Sequence, residues 1–243
     1  MSAMQISVII PMYNESRVIE STAKTLSEYM SARFSSYEIL FSDDGSTDDS
    51  GALVRALNLP CVRVIGESEN HGKGFAVRNA MLAAEGELLL FTDADLAYGV
   101  EVIGRIYDFY LEASKENGAR LVLGSRNLDK HGYDGYRPIR KIMSKLYLRI
   151  LGLVGGFRLS DSQCGCKAFE REAAREIFSR CEVDRYAFDF EAILWAQKLG
   201  FVISEFPVKI LSHDESKVRI FRDTYRMLRD LKKIRKRIRK INK

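Results

Sequence analysis

Leu88-Leu-Leu-Phe-Thr-Asp-Ala-Asp95 is an apolar run that ends on two carboxylates. Its first four residues read as a short strand covered on both faces, as in the interior of a parallel sheet. Asp93 and Asp95 then stand one residue apart at its carboxyl end. In extended backbone residues i and i+2 point the same way, so both carboxylates can face one site. Such a pair suits a hard divalent cation and the phosphates that accompany it. Taken alone, Asp-x-Asp is more often a turn or helix-cap device. Its meaning depends on what converges beside it.

Working outward, residues 6–10 form a strand stopped by Pro11, and a helix follows over about 16–33. A second strand covers 37–42, and Thr47 is the expected N-cap of a helix to about Leu57. Residues 62–66 and 120–124 are further strands, with helices over 72–84 and 100–117. This alternation predicts right-handed crossovers and an α/β fold with a mainly parallel sheet. Ligands of such sheets bind beyond the carboxyl ends of the strands. Residues 11–15, 43–46 and 93–95 each follow a strand, so all three can line one cleft. The second half is less regular. Residues 133–138 read as a Tyr- and Gly-rich loop, 139–153, 171–179 and 188–199 as helices, and 165–169 and 202–207 as strands. From Val218 to Ile241 apolar residues recur at steps of three and four, which predicts a long amphipathic helix.

Length and composition suit one soluble α/β domain, residues 1–217, followed by the helix over 218–243. The net charge of +5 conceals an asymmetry. Residues 217–243 hold 13 basic and 2 acidic residues, a net of +11, which leaves 25 basic and 31 acidic elsewhere, a net of −6. An acidic body therefore carries a basic tail, which is either a solvated helix face or a surface for a polyanion. The body's charge argues against nucleic acid as its ligand. Cys61, Cys164, Cys166 and Cys181 follow neither a disulfide nor a zinc spacing and read as reduced thiols. No apolar run reaches the roughly 18 residues that a membrane span needs, and the chain opens on a strand without a secretory signal. A cytoplasmic location is the expectation.

A cleft that gathers Asp43, Asp44, Asp93 and Asp95 needs a compensating partner, because four like charges repel. A divalent metal is one answer, and hydrogen bonds from a base or ribose are another. A nucleotide diphosphate with Mg²⁺ or Mn²⁺ supplies both. Asn70-His-Gly-Lys-Gly74 could offer backbone N–H groups to an anion, with Lys73 and Arg78 as nearby cations, yet it is no Walker A loop and on its own reads more readily as a turn.

The joint order of these segments carries a resemblance. Ser7-Val-Ile-Ile-Pro-Met-Tyr-Asn-Glu15, Asp43-Asp-Gly-Ser-Thr-Asp48, Asn70-His-Gly-Lys-Gly-Phe-Ala-Val-Arg78 and Asp93-Ala-Asp95 come first. Gly124-Ser-Arg126, Asp161-Ser-Gln-Cys-Gly-Cys-Lys167, Phe188-Asp-Phe-Glu191 and Ser216-Lys-Val218 follow. In this order they resemble the inverting family 2 glycosyltransferases of GT-A fold, in particular the dolichyl- and polyprenyl-phosphate transferases and their glucosyltransferase branch. The resemblance implies a nucleotide-binding half over 1–125 and an acceptor-binding half over 126–217. Pro11, Tyr13 and Glu15 would border base and ribose, Asp43 and Asp44 would bind them, and Lys73 and Ala94 would join the nucleotide-sugar site. Asp93 and Asp95 would hold ribose and metal, Asp95 being the more direct ligand. Arg126 would face an acceptor phosphate, with Arg140 or Arg137 as a second clamp, and Lys217 would neutralise the leaving diphosphate.

What the resemblance implies for function is transfer of glucose from UDP-glucose to a polyprenyl phosphate, with Mg²⁺ or Mn²⁺ as cofactor. An ionised acceptor phosphate is already a nucleophile, so alignment and charge neutralisation suffice. GDP-mannose is the alternative donor. A soluble sugar or polysaccharide hydroxyl is the alternative acceptor and would need a base, for which Asp189 and Glu191 are the candidates. A binding module without catalysis is the reading from another class. Two departures stand out: Ala97 replaces a glutamine that helps hold the metal in mannosyltransferase relatives, and Cys166 replaces an aromatic residue. A lipid acceptor requires membrane access. Residues 218–243 could lie on an anionic surface with the apolar stripe down, or pack on the domain or in a homodimer, and residues 139–157 are a second candidate for the surface.

Overall fold

The computed structural model describes residues 4–134, 138–211 and 220–241. Among the described residues seven strands form one sheet in the order β3-β2-β1-β4-β6-β5-β7. They are β1 (Ile6–Met12), β2 (Tyr37–Asp44), β3 (Val62–Glu67), β4 (Leu88–Phe91), β5 (Ala119–Ser125), β6 (Lys167–Glu170) and β7 (Val202–Pro207). All pair in parallel except β6, which runs antiparallel between β4 and β5. The sheet passes without a break through both halves of the body.

Alternate residues of the central strands enter opposite cores. Ile9, Leu89 and Phe91 face one side, and Val8, Ile10, Leu88 and Leu90 face the other. That is why β4 is apolar at every position: helices cover both of its faces. On one face lie α1 (Ile19–Arg33), α2 (Ser50–Ala56) and α4 (Val102–Asn117). On the other lie α3 (Lys73–Ala83), α5 (Pro138–Gly155), α6 (Arg171–Phe178), α7 (Phe188–Leu199) and α8 (Ile220–Lys240).

Two expected boundaries move for a local reason. Strand β1 runs through Pro11 to Met12, because a proline needs no ladder N–H at the end of a strand. Thr47 does not cap α2. Its N–H donates to Asn14 Oδ1 at 2.8 Å, and Asp49 takes the cap position.

The basic helix is where expectation and fold differ most. Leu231, Ile234 and Ile238 of α8 are buried in the core shared with α5 and α7. Arg235 donates to the Val154 carbonyl at 2.6 Å, Lys198 donates to the Ile238 carbonyl at 2.6 Å, and Arg237 pairs with Glu191 and Glu182. Burying each such aliphatic side chain is worth about 1.5–3 kcal/mol, so the stripe stays on the domain. An apolar stripe laid onto a membrane is thereby corrected for these residues. The second candidate segment is divided: Leu148, Leu151 and Phe157 are core, while Ile150 and Leu153 face outward.

Candidate active site

The loops after β1 and β2 are laced into one unit at the carboxyl edge of the sheet. Asn14 adopts a left-handed φ of 56°, which aims its amide at the second loop. Its Oδ1 accepts from Thr47 and Asp48 N–H groups, and its own N–H donates to Ser46 Oγ at 3.0 Å. Asp48 returns the link by accepting from the Ser16 N–H at 3.1 Å and the Ser50 N–H at 3.0 Å. Burial works against its charge, but the hydrogen bond from the Ser50 hydroxyl, with these two, outweighs it and holds the carboxyl pKa at about 2. Along this rim Pro11 is buried inside β1, Tyr13 is 42% exposed, and Glu15 donates its N–H to Ser50 Oγ at 2.8 Å. Asp43 accepts from the Ser46 N–H at 2.9 Å.

Asp44 differs from its neighbour. Its carboxylate is 4% exposed and accepts from the His71 N–H, the Gly72 N–H and the Asn70 amide, each at about 2.9 Å. Both oxygens are occupied in folding the 70–72 loop. The assignment of Asp44 to base or ribose is therefore corrected: it builds the wall and does not reach into the cleft. Gly72 sits at φ 119°, a conformation that only glycine adopts easily.

The Asp-x-Asp turn is anchored from below. Ala94 is buried and its carbonyl accepts from Thr22 Oγ1 at 2.6 Å. Asp95 is exposed and accepts the Ala97 N–H at 3.0 Å, closing an Asx turn with Leu96 at φ 47°. Asp93 pairs with the ammonium of Lys73, the first residue of α3. Burial disfavours that ammonium, yet Asp93, with Asp189 and Asp95 beyond it, holds the lysine pKa above its ordinary value. Lys73 thus stands as a cation among three carboxylates.

Asp189 opens α7 and is held by Lys167 Nζ at 2.7 Å. Burial pushes its carboxyl pKa up and Lys167 restrains the rise. Lys167 is almost wholly buried, donates to the Cys164 carbonyl at 2.5 Å, and lies over the Phe91 ring. Nothing in the spacing of the chain singles out Lys167, because its partner is 22 residues away. Glu191 is corrected as a base. It is fully buried, accepts the Glu182 and Val183 N–H groups at 2.9 and 2.7 Å, and pairs with Arg237.

Two cations also sit otherwise than expected. Arg126 grips Asp161 with its fork, Nε to Oδ2 at 2.6 Å and Nη2 to Oδ1 at 2.9 Å. Arg78 turns away from the cleft to Asp184 at 2.8 Å. Arg137 and Lys217 lie outside the described residues, as does the side chain of Arg140, whose backbone belongs to α5. Gly165, which the motif over 161–167 contains without a role, is a further site residue. A Cβ there would run into the Asp93 carboxylate. Gly165→Ala is therefore expected to shift Asp93 and weaken Mn²⁺-dependent binding of UDP by about tenfold or more, read by isothermal titration, while leaving the unliganded melting temperature within about 2 °C.

The glycosyl transferase family 2 profile matches residues 7–178, most of the chain. The chain belongs to this family. This transferase is 33% identical over 244 residues to a dolichyl-phosphate β-glucosyltransferase of Dictyostelium discoideum, covering 95% of this chain and 73% of the relative. The human dolichyl-phosphate β-glucosyltransferase is 31% identical, with 95% and 75% covered. A Trichomonas vaginalis enzyme of the same description is 31% identical, and there the chain spans 87% of its own length but 65% of the relative's. Among solved structures, glucosyl-3-phosphoglycerate synthase of Mycobacterium tuberculosis with Mn²⁺, UDP and glucosyl-3-phosphoglycerate superposes with a TM-score of 0.65 at 20% identity, covering 99% of this chain and 81% of that one. The transferase shares that GT-A fold.

Proposed function

We propose that this transferase moves glucose from UDP-glucose to a polyprenyl phosphate, with inversion at the anomeric carbon. One observation carries the reading: a two-carboxylate strand end, with a lysine seated on it, in a chain 31–33% identical over 95% of its length to dolichyl-phosphate β-glucosyltransferases. Neighbours of the same fold solved with UDP and Mn²⁺ or Mg²⁺ support the donor and the cofactor.

The donor set fits Mg²⁺ or Mn²⁺. Among the described residues no group of three or more His, Cys, Asp or Glu side chains could hold a metal. Two carboxylates nevertheless suffice for an ion that completes its shell with water and substrate phosphates. Asp95 and Asp93 would hold it, and Lys73 already occupies Asp93 as a stand-in cation. When bound, the metal neutralises the diphosphate that leaves.

The remaining work falls to the chain's own residues. Tyr13 and Asp43 on the laced rim would orient base and ribose. Lys73 would exchange its carboxylate partner for a diphosphate oxygen. On the acceptor side Arg126 keeps Nη1 outside its pair with Asp161, and Arg140 and Lys217 would add positive charge. A phosphate monoester is ionised at neutral pH, so transfer needs no base; the enzyme aligns it with the anomeric carbon and shields two anions from each other. A hydroxyl acceptor is the second reading, favoured by Asp189, whose raised carboxyl pKa beside Lys73 and Asp93 suits a proton acceptor. A lipid-linked acceptor would require the enzyme to work at a membrane surface, and the cytoplasmic face is the one we propose.

Purified protein with radiolabelled UDP-glucose or GDP-mannose, polyprenyl phosphate and Mg²⁺ or Mn²⁺ tests this. An organic-soluble product from UDP-glucose is expected. Product from GDP-mannose alone overturns the donor, and none from either donor overturns the lipid acceptor.

A further inference from the structure

Because Leu231, Ile234 and Ile238 of α8 are buried in the domain, the face that its described residues turn outward is the cationic one. Arg229, Lys232, Lys233, Lys236, Arg239 and Lys240 are all exposed. Among the described side chains of this helix the acid is Asp230, and Arg229 stands beside it at 3.4 Å. Lys232, Lys236 and Lys240 follow at i, i+4 and i+8, a line of about 12 Å along the helix. A groove of about 420 Å³ lies between this line and the end of α5, walled by Val154 and five cationic side chains of α8, with no carboxylate in its lining among the described residues. Arg235, one of the five, is tied to the Val154 carbonyl, which fixes the two helices to each other.

Beside the groove α5 carries exposed apolar surface. Leu153 is 81% exposed and Ile150 is 38% exposed. Lys145 and Arg149, also exposed, precede Leu153 at four-residue steps on the same line of the helix. Cations flanking an outward leucine match the headgroup region of a lipid bilayer, where charge meets phosphate and the apolar side chain enters the boundary below it. A nucleic-acid backbone would engage the lysines and leave Leu153 in water.

We propose that the outward face of α8 together with the end of α5 docks this transferase on a membrane surface rich in anionic phospholipid. The choice of a membrane over other polyanions rests on the lipid-linked acceptor proposed above. The surface differs from the one the sequence pattern suggests, since the apolar stripe faces inward and the lysines face the lipid. Each basic residue held near an anionic surface strengthens binding about fivefold, so losing three has a large effect.

Flotation with vesicles of phosphatidylglycerol and phosphatidylcholine, against phosphatidylcholine alone, tests the proposal without nucleotide or polyprenyl phosphate present. Binding is expected only to the anionic vesicles and to fall as salt is raised. The triple variant Lys232→Glu, Lys236→Glu, Lys240→Glu is expected to lose at least about a hundredfold in affinity, and Leu153→Asp at least about threefold. Both variants should keep the melting temperature, and keep transfer to a short, water-soluble prenyl phosphate. Equal binding to both vesicle types overturns the proposal, as does anionic binding that the triple variant retains, or a preference for duplex nucleic acid over the vesicles. Anionic binding lost in the triple variant supports docking even where no prenyl phosphate accepts sugar; that second result overturns the acceptor reading alone.

Discussion

Asp95→Asn is expected to lower sugar transfer by about a thousandfold or more while leaving the fold as it is. The side chain is exposed, so its replacement disturbs no packing. Its Oδ1 accepts the Ala97 N–H at 3.0 Å, a role the asparagine oxygen can fill, so the Asx turn persists. What the substitution removes is one negative charge at the end of β4. Asp93 alone would leave the metal a single carboxylate, and in the unliganded protein Lys73 competes for it. The readouts follow from this division. The melting temperature without ligand should stay within about 1 °C of the parent's. The rise produced by Mn²⁺ with UDP should largely vanish, since a ligand stabilises only to the extent that it binds the folded state. A variant that keeps the full Mn²⁺-dependent rise would remove Asp95 from the metal site.

Sequence reasoning located β4 and its carboxylates because the signal there is local. Four apolar residues covered on both faces leave a run that no solvated segment would carry. Helix α7 and strand β7 were legible to the residue for the same reason. Side-chain partners across the cleft were not legible. Asp44 and the loop it folds are 26 to 28 residues apart, Asp189 and Lys167 are 22 apart, and Arg126 and Asp161 are 35 apart. A carboxylate in a strand-end motif looks the same whether it faces a ligand or a row of backbone N–H groups. Only the return of the chain decides. Helix α8 makes the same point on a larger scale: periodicity names Leu231, Ile234 and Ile238 as one stripe, but whether domain or lipid covers it depends on α5 and α7.

Asp161→Ala is expected to cost about 3–5 kcal/mol of stability, which for a chain of this size is a fall of roughly 6–20 °C in melting temperature. The carboxylate is fully buried, and the Arg126 side chain is 14% exposed. Burial disfavours the guanidinium, but Asp161 more than compensates and drives its pKa well above the ordinary arginine value. Arginine cannot shed its proton to escape, so removing Asp161 strands a buried charge. The same carboxylate also accepts the N–H groups of Arg126 and Gln163 at 3.2 and 3.1 Å, and both would lose a partner. Arg126→Ala is expected to be costly for the mirror-image reason, while the double variant should lose less than the sum of the two, because neither charge is then left alone. Urea unfolding of the four proteins measures the coupling. Additive losses would mean that the fork contributes little and that Arg126 is free to turn to an acceptor phosphate. A large coupling would instead make Arg126 a positioning residue, since its guanidinium also stands 5.6 Å from the centre of the Tyr133 ring. In that case Arg126→Lys, which keeps the charge but loses the two-point grip, should lower stability and raise KM for the acceptor more than it lowers kcat.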